Sequence, residues 1–312
     1  VHQHVRVRVP ATSANLGPGF DALGVALCLY NTVEISIAER TKVVVTGEGA
    51  GGLPTDETNL VYAAALEVAR LAGGQGVQFA LRCRNTIPLR RGLGSSAAAR
   101  VAGIVGANCL LGDPLDLRGI VELACALEGH PDNVVAAVAG GFTVVAARRG
   151  ELRWTRLAPP FLPGVVVAVP DLPVETADAR ACLPRAVALQ DAVFNVSRAA
   201  LLVAALSAGR FDLLDAATED RLHQPHRAPL IPGLNEVLQA ARHAGAFGAA
   251  LSGAGSAVIA FAPGGLTRAV GEAMVDAFTR YQLRARALVT EIDLEGTAVE
   301  VDGRYRPLVP DP

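Results

Sequence analysis

The run Pro88-Leu89-Arg90-Arg91-Gly92-Leu93-Gly94-Ser95-Ser96-Ala97-Ala98 sets two glycines and two serines at the head of an alanine-rich stretch. That composition suits an anion. Gly92 and Gly94 let the backbone turn tightly and approach a ligand, so that successive N–H groups can converge on a phosphate. A helix starting at Ser95 aims its unpaired N–H groups and positive dipole end at the same point. One serine hydroxyl is then available to a divalent cation. A Walker loop carries Lys before its Ser/Thr; Gly94 stands there instead, so this is a different phosphate-loop design. An ordinary Ser N-cap after a Gly turn is the plain alternative.

Two polar clusters accompany the loop. The segment Ala11-Thr12-Ser13-Ala14-Asn15-Leu16-Gly17-Pro18-Gly19-Phe20-Asp21 is too rich in Gly, Pro and small polar residues for a regular element, and it holds Asn15 and Asp21 near a strand end. Such a long loop where a short turn would serve points to function, although Asn15 and Asp21 could simply cap turns. The second cluster, Glu128-Gly129-His130-Pro131-Asp132-Asn133, packs two carboxylates, an imidazole and an amide into six residues. Pro131 bars continuation of a helix and is expected to leave His130, Asp132 and Asn133 in a connection. A C-cap followed by a turn would account for the same residues.

These clusters need elements to hold them. Val5, Val7 and Val9 alternate as a strand that Pro10 should end; strands follow at Val33–Ile37, Val43–Thr46, Val77–Cys83 and Phe142–Ala147. Helical patterns cover Asn59–Leu71, Ser95–Leu111 and Leu115–Leu127, the last delivering Glu128. The Pro- and Gly-rich stretch Leu157–Gly164 marks a boundary, giving domains 1–158 and 159–312. Beyond it lie a strand at Val165–Val169, a polar connection at Glu175–Arg180, helices at Gln190–Leu206 and Phe211–Thr218, and a basic irregular link at His223–Arg227. A helix at Leu234–His243, two strand halves within Phe247–Ile259, a helix at Leu266–Tyr281 and a strand at Ala285–Ile292 complete an α+β sandwich.

Composition narrows the function. With 28 Lys and Arg against 30 Asp and Glu, interspersed, the 312-residue chain lacks the basic surface of a nucleic-acid binder. Lys42 is the sole lysine, so a lysine-dependent mechanism has one poor candidate. Five cysteines without metal-like spacing read as reduced thiols of a cytoplasmic protein. No uninterrupted apolar run spans a bilayer and the start lacks the pattern of a signal peptide, so no membrane partner is expected.

Pro10 to Asp21, Gly92 to Ala98 and Leu251-Ser252-Gly253-Ala254-Gly255-Ser256 resemble, in order, the three motifs of the GHMP kinases. The first, with Glu128 to Asn133, looks specifically like the homoserine kinase branch, and the resemblance runs from Val5 to about Val301. Ser256 departs from the Pro usual in the third motif, and Arg90 stands where a small residue is common. The resemblance implies an α+β two-domain GHMP kinase architecture, with a ribosomal-protein-S5-like N-terminal domain and a ferredoxin-like C-terminal domain. It implies ATP and L-homoserine bound between them, O-phospho-L-homoserine as product in threonine biosynthesis, and a homodimer. ATP would lie on Pro88 to Ala98 with Asn59 near its base; Ser96 and Glu128 would hold Mg²⁺, with Glu122 as the alternative carboxylate. Arg180 and Arg227 match the residues for the substrate carboxylate, Asp21 and Asp132 suit its ammonium, and Thr176 matches a position near the substrate.

The same resemblance leaves Asn15, Asn133 or His130 to orient the attacking hydroxyl, and sets Asn15, Asp132, Asn133 and Arg180 as the catalytic group. A first motif without Lys favours direct attack with Asp132 as a substrate anchor; His130 or Asp132 as general base stays open. Two alternatives remain. One is a related kinase acting on mevalonate, shikimate or a sugar, against which the charges of Asp21, Arg180 and Arg227 match a zwitterion. The other is a non-catalytic nucleotide-binding module, against which Ser96 and Glu128 are intact.

Overall fold

The computed structural model describes residues 4–74, 76–148 and 151–309. Its first unit runs β1 (Val5–Ala14), β2 (Leu23–Ala38), β3 (Lys42–Gly47), α1 (Leu60–Leu71), β4 (Gln78–Asn85), α2 (Ser95–Leu110), α3 (Leu117–Glu128), α4 (Asp132–Ala139), β5 (Phe142–Arg148) and β6 (Glu151–Leu157). The second runs β7 (Gly164–Pro170), α5 (Thr176–Ala181), α6 (Leu189–Ala208), α7 (Leu214–Ala217), α8 (Gln224–Arg227), α9 (Leu234–His243), β8 (Gly248–Leu251), β9 (Val258–Ala262), α10 (Thr267–Arg280) and β10 (Ala285–Thr290). Strands β11 (Ala298–Val301) and β12 (Arg304–Pro307) follow.

Val5, Val7 and Val9 turn one face of β1 into the core, while Arg6 on the other face pairs with Glu34 and Glu300. The large sheet has the order β12-β11-β1-β2-β4-β3, with β5 and β6 continuing from the start of β2. Helix α2 lies across β1 and β2, flanked by α1, α3 and α4. Its Ala and Gly content is what lets a helix be enclosed on so many sides: a Cβ at Gly103 would lie 2.1 Å from the Val61 carbonyl oxygen. The second sheet, β10-β7-β9-β8, is antiparallel throughout, and α9 and α10 pack on it in a β-α-β-β-α-β arrangement.

Several elements differ from the sequence reading. Pro10 does not end β1; the strand continues to Ala14 across a register shift between Pro10 and Ala11, a place where a missing N–H is tolerated. The segment after Pro131 is helix α4 rather than a connection. All eight of its residues are buried, so it has no polar face to betray a helical period, and Pro131 sits at its N-cap, where proline does no harm. Glu175–Arg180 and His223–Arg227 likewise contain short helices, α5 and α8. Strands β11 and β12 return to the first sheet, so the last stretch of the chain does not stay with the second unit as a boundary at 158 requires.

Candidate active site

Three loops meet at the N-terminus of α2. Gly94 is the N-cap in a left-handed conformation (φ 67°), with Gly92 at φ 75°. The first helical bond, from the Ala98 N–H to the Gly94 carbonyl at 2.9 Å, leaves the preceding N–H groups of Ser95, Ser96 and Ala97 pointing out of the helix end. The loop is also wedged against its neighbours: a Cβ on Gly92 would stand 2.0 Å from the Ser252 carbonyl oxygen, and one on Gly94 1.9 Å from Thr12 Oγ1. Glycine is therefore needed here for loop-to-loop packing as well as for a ligand. The Thr12 N–H donates to Leu93 (3.1 Å), Gly253 N–H to Ala14 (3.1 Å) and Ala257 N–H to Arg91 (3.1 Å), sewing the three motifs together.

Within the proposed ATP segment the roles divide. Leu89, Arg90, Arg91, Gly92, Leu93, Gly94, Ser95 and Ser96 line the cleft, whereas Pro88, Ala97 and Ala98 are buried and do not. Arg90 pairs with Glu175 at 2.8 Å on the surface, and Arg91 Nε donates to the Pro170 carbonyl at 2.8 Å, so both reach toward the second unit. The Ser256 hydroxyl donates to the Leu172 carbonyl, a bond that the Pro of the usual motif could not make.

The cleft holds about 400 Å³. At one end Leu53, Pro54, Leu60, Val61 and Leu89 form an apolar wall suited to a planar base. Asn59 borders it as the N-cap of α1, accepting from the Val61 N–H (3.0 Å) and donating to the Pro54 carbonyl (2.8 Å). Beyond the helix terminus, the other end is polar.

Glu128 and Ser96 are in direct contact there, the Ser96 hydroxyl donating to the carboxylate. Arg100, one turn along α2 from Ser96, holds the other Glu128 oxygen. Sequence reading missed Arg100, although its i+4 spacing from Ser96 puts both on one helix face. Two hard oxygen donors beside a phosphate loop fit Mg²⁺, which keeps waters and phosphate oxygens for the rest of its shell. Glu122 instead pairs with Arg118 at 2.7 Å on the exposed side of α3, away from the cleft.

Gly129, at φ 88°, ends α3 and turns the chain so that His130, Asp132 and Asn133 face inward. Asp132 Oδ1 accepts from the Asn133 N–H at 2.8 Å, and Asn133 Oδ1 accepts from the Thr12 hydroxyl at 2.8 Å. His130 Nδ1 lies 3.4 Å from Asp132 Oδ1 without hydrogen-bond alignment. Even so, the Asp132 carboxylate raises the His130 imidazole above its ordinary value, outweighing burial. A raised folded-state value makes this attraction fully present below the unfolded value near 6.5 and lost as pH rises through the folded one. His130→Gln is therefore expected to destabilise the protein more at about pH 5.5 than at about pH 8.5, read from urea unfolding at both. Equal losses would contradict it.

Asn15, at φ 68°, accepts from the Asp21 N–H (3.0 Å) and donates to the Gly253 carbonyl (3.0 Å). It lines the cleft with one donor and one acceptor position left, so its first task is to pin two loops. Arg180 grips Asp21 bidentately, at 2.6 and 3.0 Å. Arg227 is buried; its Nε donates to the Ala179 carbonyl (3.0 Å) and Nη1 to the Gly253 carbonyl (2.9 Å). Among the described residues no carboxylate pairs with it. Both guanidiniums stand over the Phe20 ring, at 5.4 Å for Arg180 and 5.3 Å for Arg227. Phe20 lies inside the first motif, yet nothing in its type marks it as a platform for two cations from the other unit. Thr176 is exposed at the start of α5 on the cleft rim.

This chain belongs to the GHMP kinases. The model for the GHMP kinases N terminal domain matches residues 59–141 and that for the GHMP kinases C terminal region matches residues 202–280. Within the family it is similar to homoserine kinases. It is 50% identical over 277 residues to the homoserine kinase of Moorella thermoacetica, covering 88% of this chain and 92% of that one. It is 45% identical over 295 residues to that of Deinococcus radiodurans, covering 94% and 96%. The crystal structure of homoserine kinase from Cytophaga hutchinsonii aligns with a TM-score of 0.86 at 30% identity, covering 96% of this chain and 98% of that one. A mevalonate kinase structure, with a TM-score of 0.68 at 14% identity, shares the fold.

Proposed function

We propose that this protein transfers the γ-phosphoryl group of ATP to the side-chain hydroxyl of L-homoserine, giving O-phospho-L-homoserine for threonine biosynthesis. The observation that carries the reading is the charge layout at the polar end of the cleft. Asp21 and Arg180 stand side by side as an anion and a cation, with Arg227 as a second cation, the electrical inverse of an amino acid's ammonium and carboxylate. The names of the relatives agree with it.

In this reading the N–H groups at the start of α2 receive the phosphates, and Ser96 and Glu128 hold Mg²⁺, which when bound neutralises phosphate charge. Arg180 and Arg227 take the carboxylate, Asp21 and Asp132 the ammonium, and Asn133 with His130 orients the hydroxyl. Lys42 sits on β3 and does not line the cleft, which supports direct attack by a positioned hydroxyl over a lysine-assisted base. Release of ADP with Mg·ATP and a panel of L-homoserine, mevalonate, shikimate, a hexose and 3-aminopropan-1-ol tests the reading. L-Homoserine should be the best acceptor; a better mevalonate or sugar acceptor sinks it.

The proposed homodimer has a candidate surface. Helix α6 is 20 residues long with a mean hydropathy of 1.4 over its apolar stretch, enough by length and composition to cross a membrane, which qualifies the sequence reading. It buries Leu202, Ala205 and Leu206 in the core and carries Asp191 and Arg198 in ion pairs, while Leu189, Val193 and Val196 stay exposed on one face. Val193→Glu is expected to halve the solution mass measured by light scattering; an unchanged mass sends the interface elsewhere. Five free cysteines support a reducing, cytoplasmic setting.

A further inference from the structure

Arg227 reaches the cleft from a buried position. Its Nε and Nη1 are tied to carbonyls, and Nη1 also meets His223 Nδ1 at 3.2 Å. The other ring nitrogen, Nε2, is 2.7 Å from the Gly17 carbonyl oxygen in the first-motif loop. His223 is completely buried and does not line the cleft. Its partners fix its tautomer. A guanidinium only donates, so Nδ1 must accept; a carbonyl only accepts, so Nε2 must carry the proton.

We infer that His223 is a positioning residue for the substrate carboxylate: its imidazole, spanning the Gly17 carbonyl and the Arg227 guanidinium, fixes how Arg227 presents itself to the cleft. The inference rests on the homoserine reading and adds to it the origin of carboxylate selectivity. A chain of contacts runs from the Gly-Pro-Gly loop through the ring to Arg227, so the loop that carries Asp21 and the cation opposite it are set by one side chain.

The surroundings hold the ring in that state. Asp220, whose side chain is also buried, accepts from the N–H groups of Leu222 (2.9 Å), His223 (3.0 Å) and Gln224 (2.6 Å) and from Asn195 Nδ2 (2.7 Å). Its carboxylate is thus committed to the backbone, and its nearest oxygen is 3.6 Å from Nε2. Phe20 closes one side of the imidazole at 5.4 Å between centroids. Burial, and after it the Arg227 charge, hold the ring below its ordinary value against the pull of Asp220. The imidazole is neutral, as a donor–acceptor bridge requires.

Two amide substitutions separate the two ends of the bridge. In His223→Asn the Oδ1 atom falls where Nδ1 was and can accept from Arg227; in His223→Gln the amide nitrogen falls near Nε2 and keeps only the Gly17 bond. His223→Gln should lower kcat/KM for L-homoserine by about tenfold or more, mainly through KM, while turnover of 3-aminopropan-1-ol, which lacks the carboxylate, stays within about twofold. His223→Asn should recover most of the loss, and ATP affinity by calorimetry should move in neither. A merely structural role lowers both acceptors together. If it does so, or if the Asn variant is no better than the Gln variant, the proposal fails. A parent enzyme indifferent to the carboxylate overturns the homoserine reading and this proposal with it; a selective parent whose Gln variant keeps its selectivity overturns the proposal alone. Should the Gln variant not fold, ¹⁵N spectra of the parent ring read the tautomer directly, and a protonated Nδ1 refutes the bridge.

Discussion

Arg227→Leu is expected to lower kcat/KM for L-homoserine by about a hundredfold or more, because losing one partner of a desolvated charge pair costs about 2–5 kcal/mol and each 1.4 kcal/mol is tenfold. ATP affinity should hardly change, since Arg227 lies at the polar end of the cleft, beyond the start of α2. The cost does not stop at the substrate. Leucine leaves the Ala179 carbonyl without its guanidinium donor, while the Gly253 carbonyl keeps Asn15 Nδ2, and a buried polar group that loses its partner costs about 1–3 kcal/mol. The variant should therefore melt earlier as well. Measuring kcat/KM for L-homoserine and 3-aminopropan-1-ol, with a thermal melt, separates the two effects: discrimination between the acceptors shrinks only if the carboxylate contact is lost. A folded variant that treats homoserine as the parent does removes Arg227 from the site.

Glu128→Gln is the second large effect. The carboxylate is 5% exposed between the Ser96 hydroxyl and the Arg100 guanidinium. An amide keeps the shape and discards the charge that would hold a cation beside the phosphates. Mg²⁺-dependent turnover should fall by about a hundredfold to a thousandfold, the usual result of removing one group that stabilises transition-state charge. The Mg²⁺ concentration for half-maximal rate should rise, with KM for homoserine little altered. Arg100 loses its carboxylate too, but at 22% exposure water compensates part of the loss, so a stability cost of about 1–2 kcal/mol is expected. Glu122→Gln, on the exposed side of α3, is the control, and a loss there in place of Glu128 would reverse the metal assignment.

The glycine, serine and acidic clusters were visible in the sequence because their residue types are unusual in apolar surroundings, and the structure brings all three to one cleft. What stayed hidden depends on long-range contact. Gly94 is legible in the sequence as a residue that lets the backbone approach a phosphate, but not as a packing glycine; the Thr12 hydroxyl, 1.9 Å from a would-be Cβ, adds a clash with the first motif. Arg180 and Asp21 were legible as charges but not as each other's partner, since they are 159 residues apart. Helix α4 was missed because a wholly buried helix shows no period, and α8 because His223 and Arg227, polar by type, suggest a surface that they do not occupy. Strands β11 and β12 escaped because each is only four residues long, too short for alternation to stand out.

That late pair of strands governs how the protein can be made. Arg6 on β1 meets Glu300 on β11, 294 residues later, and Val7 pairs in register with Val299. While the ribosome is still translating the second unit, β1 has β2 on one side and nothing on the other, a bare edge of N–H and C=O groups beside a valine-rich face. Closure of so distant a contact is slow, and the first sheet cannot be completed from the first half of the chain alone. Folding during synthesis therefore leaves the kinase half open until its final strands emerge from the ribosome, and a nascent chain stalled before Ala298 presents the surface on which chaperones, or other unfinished chains, would settle.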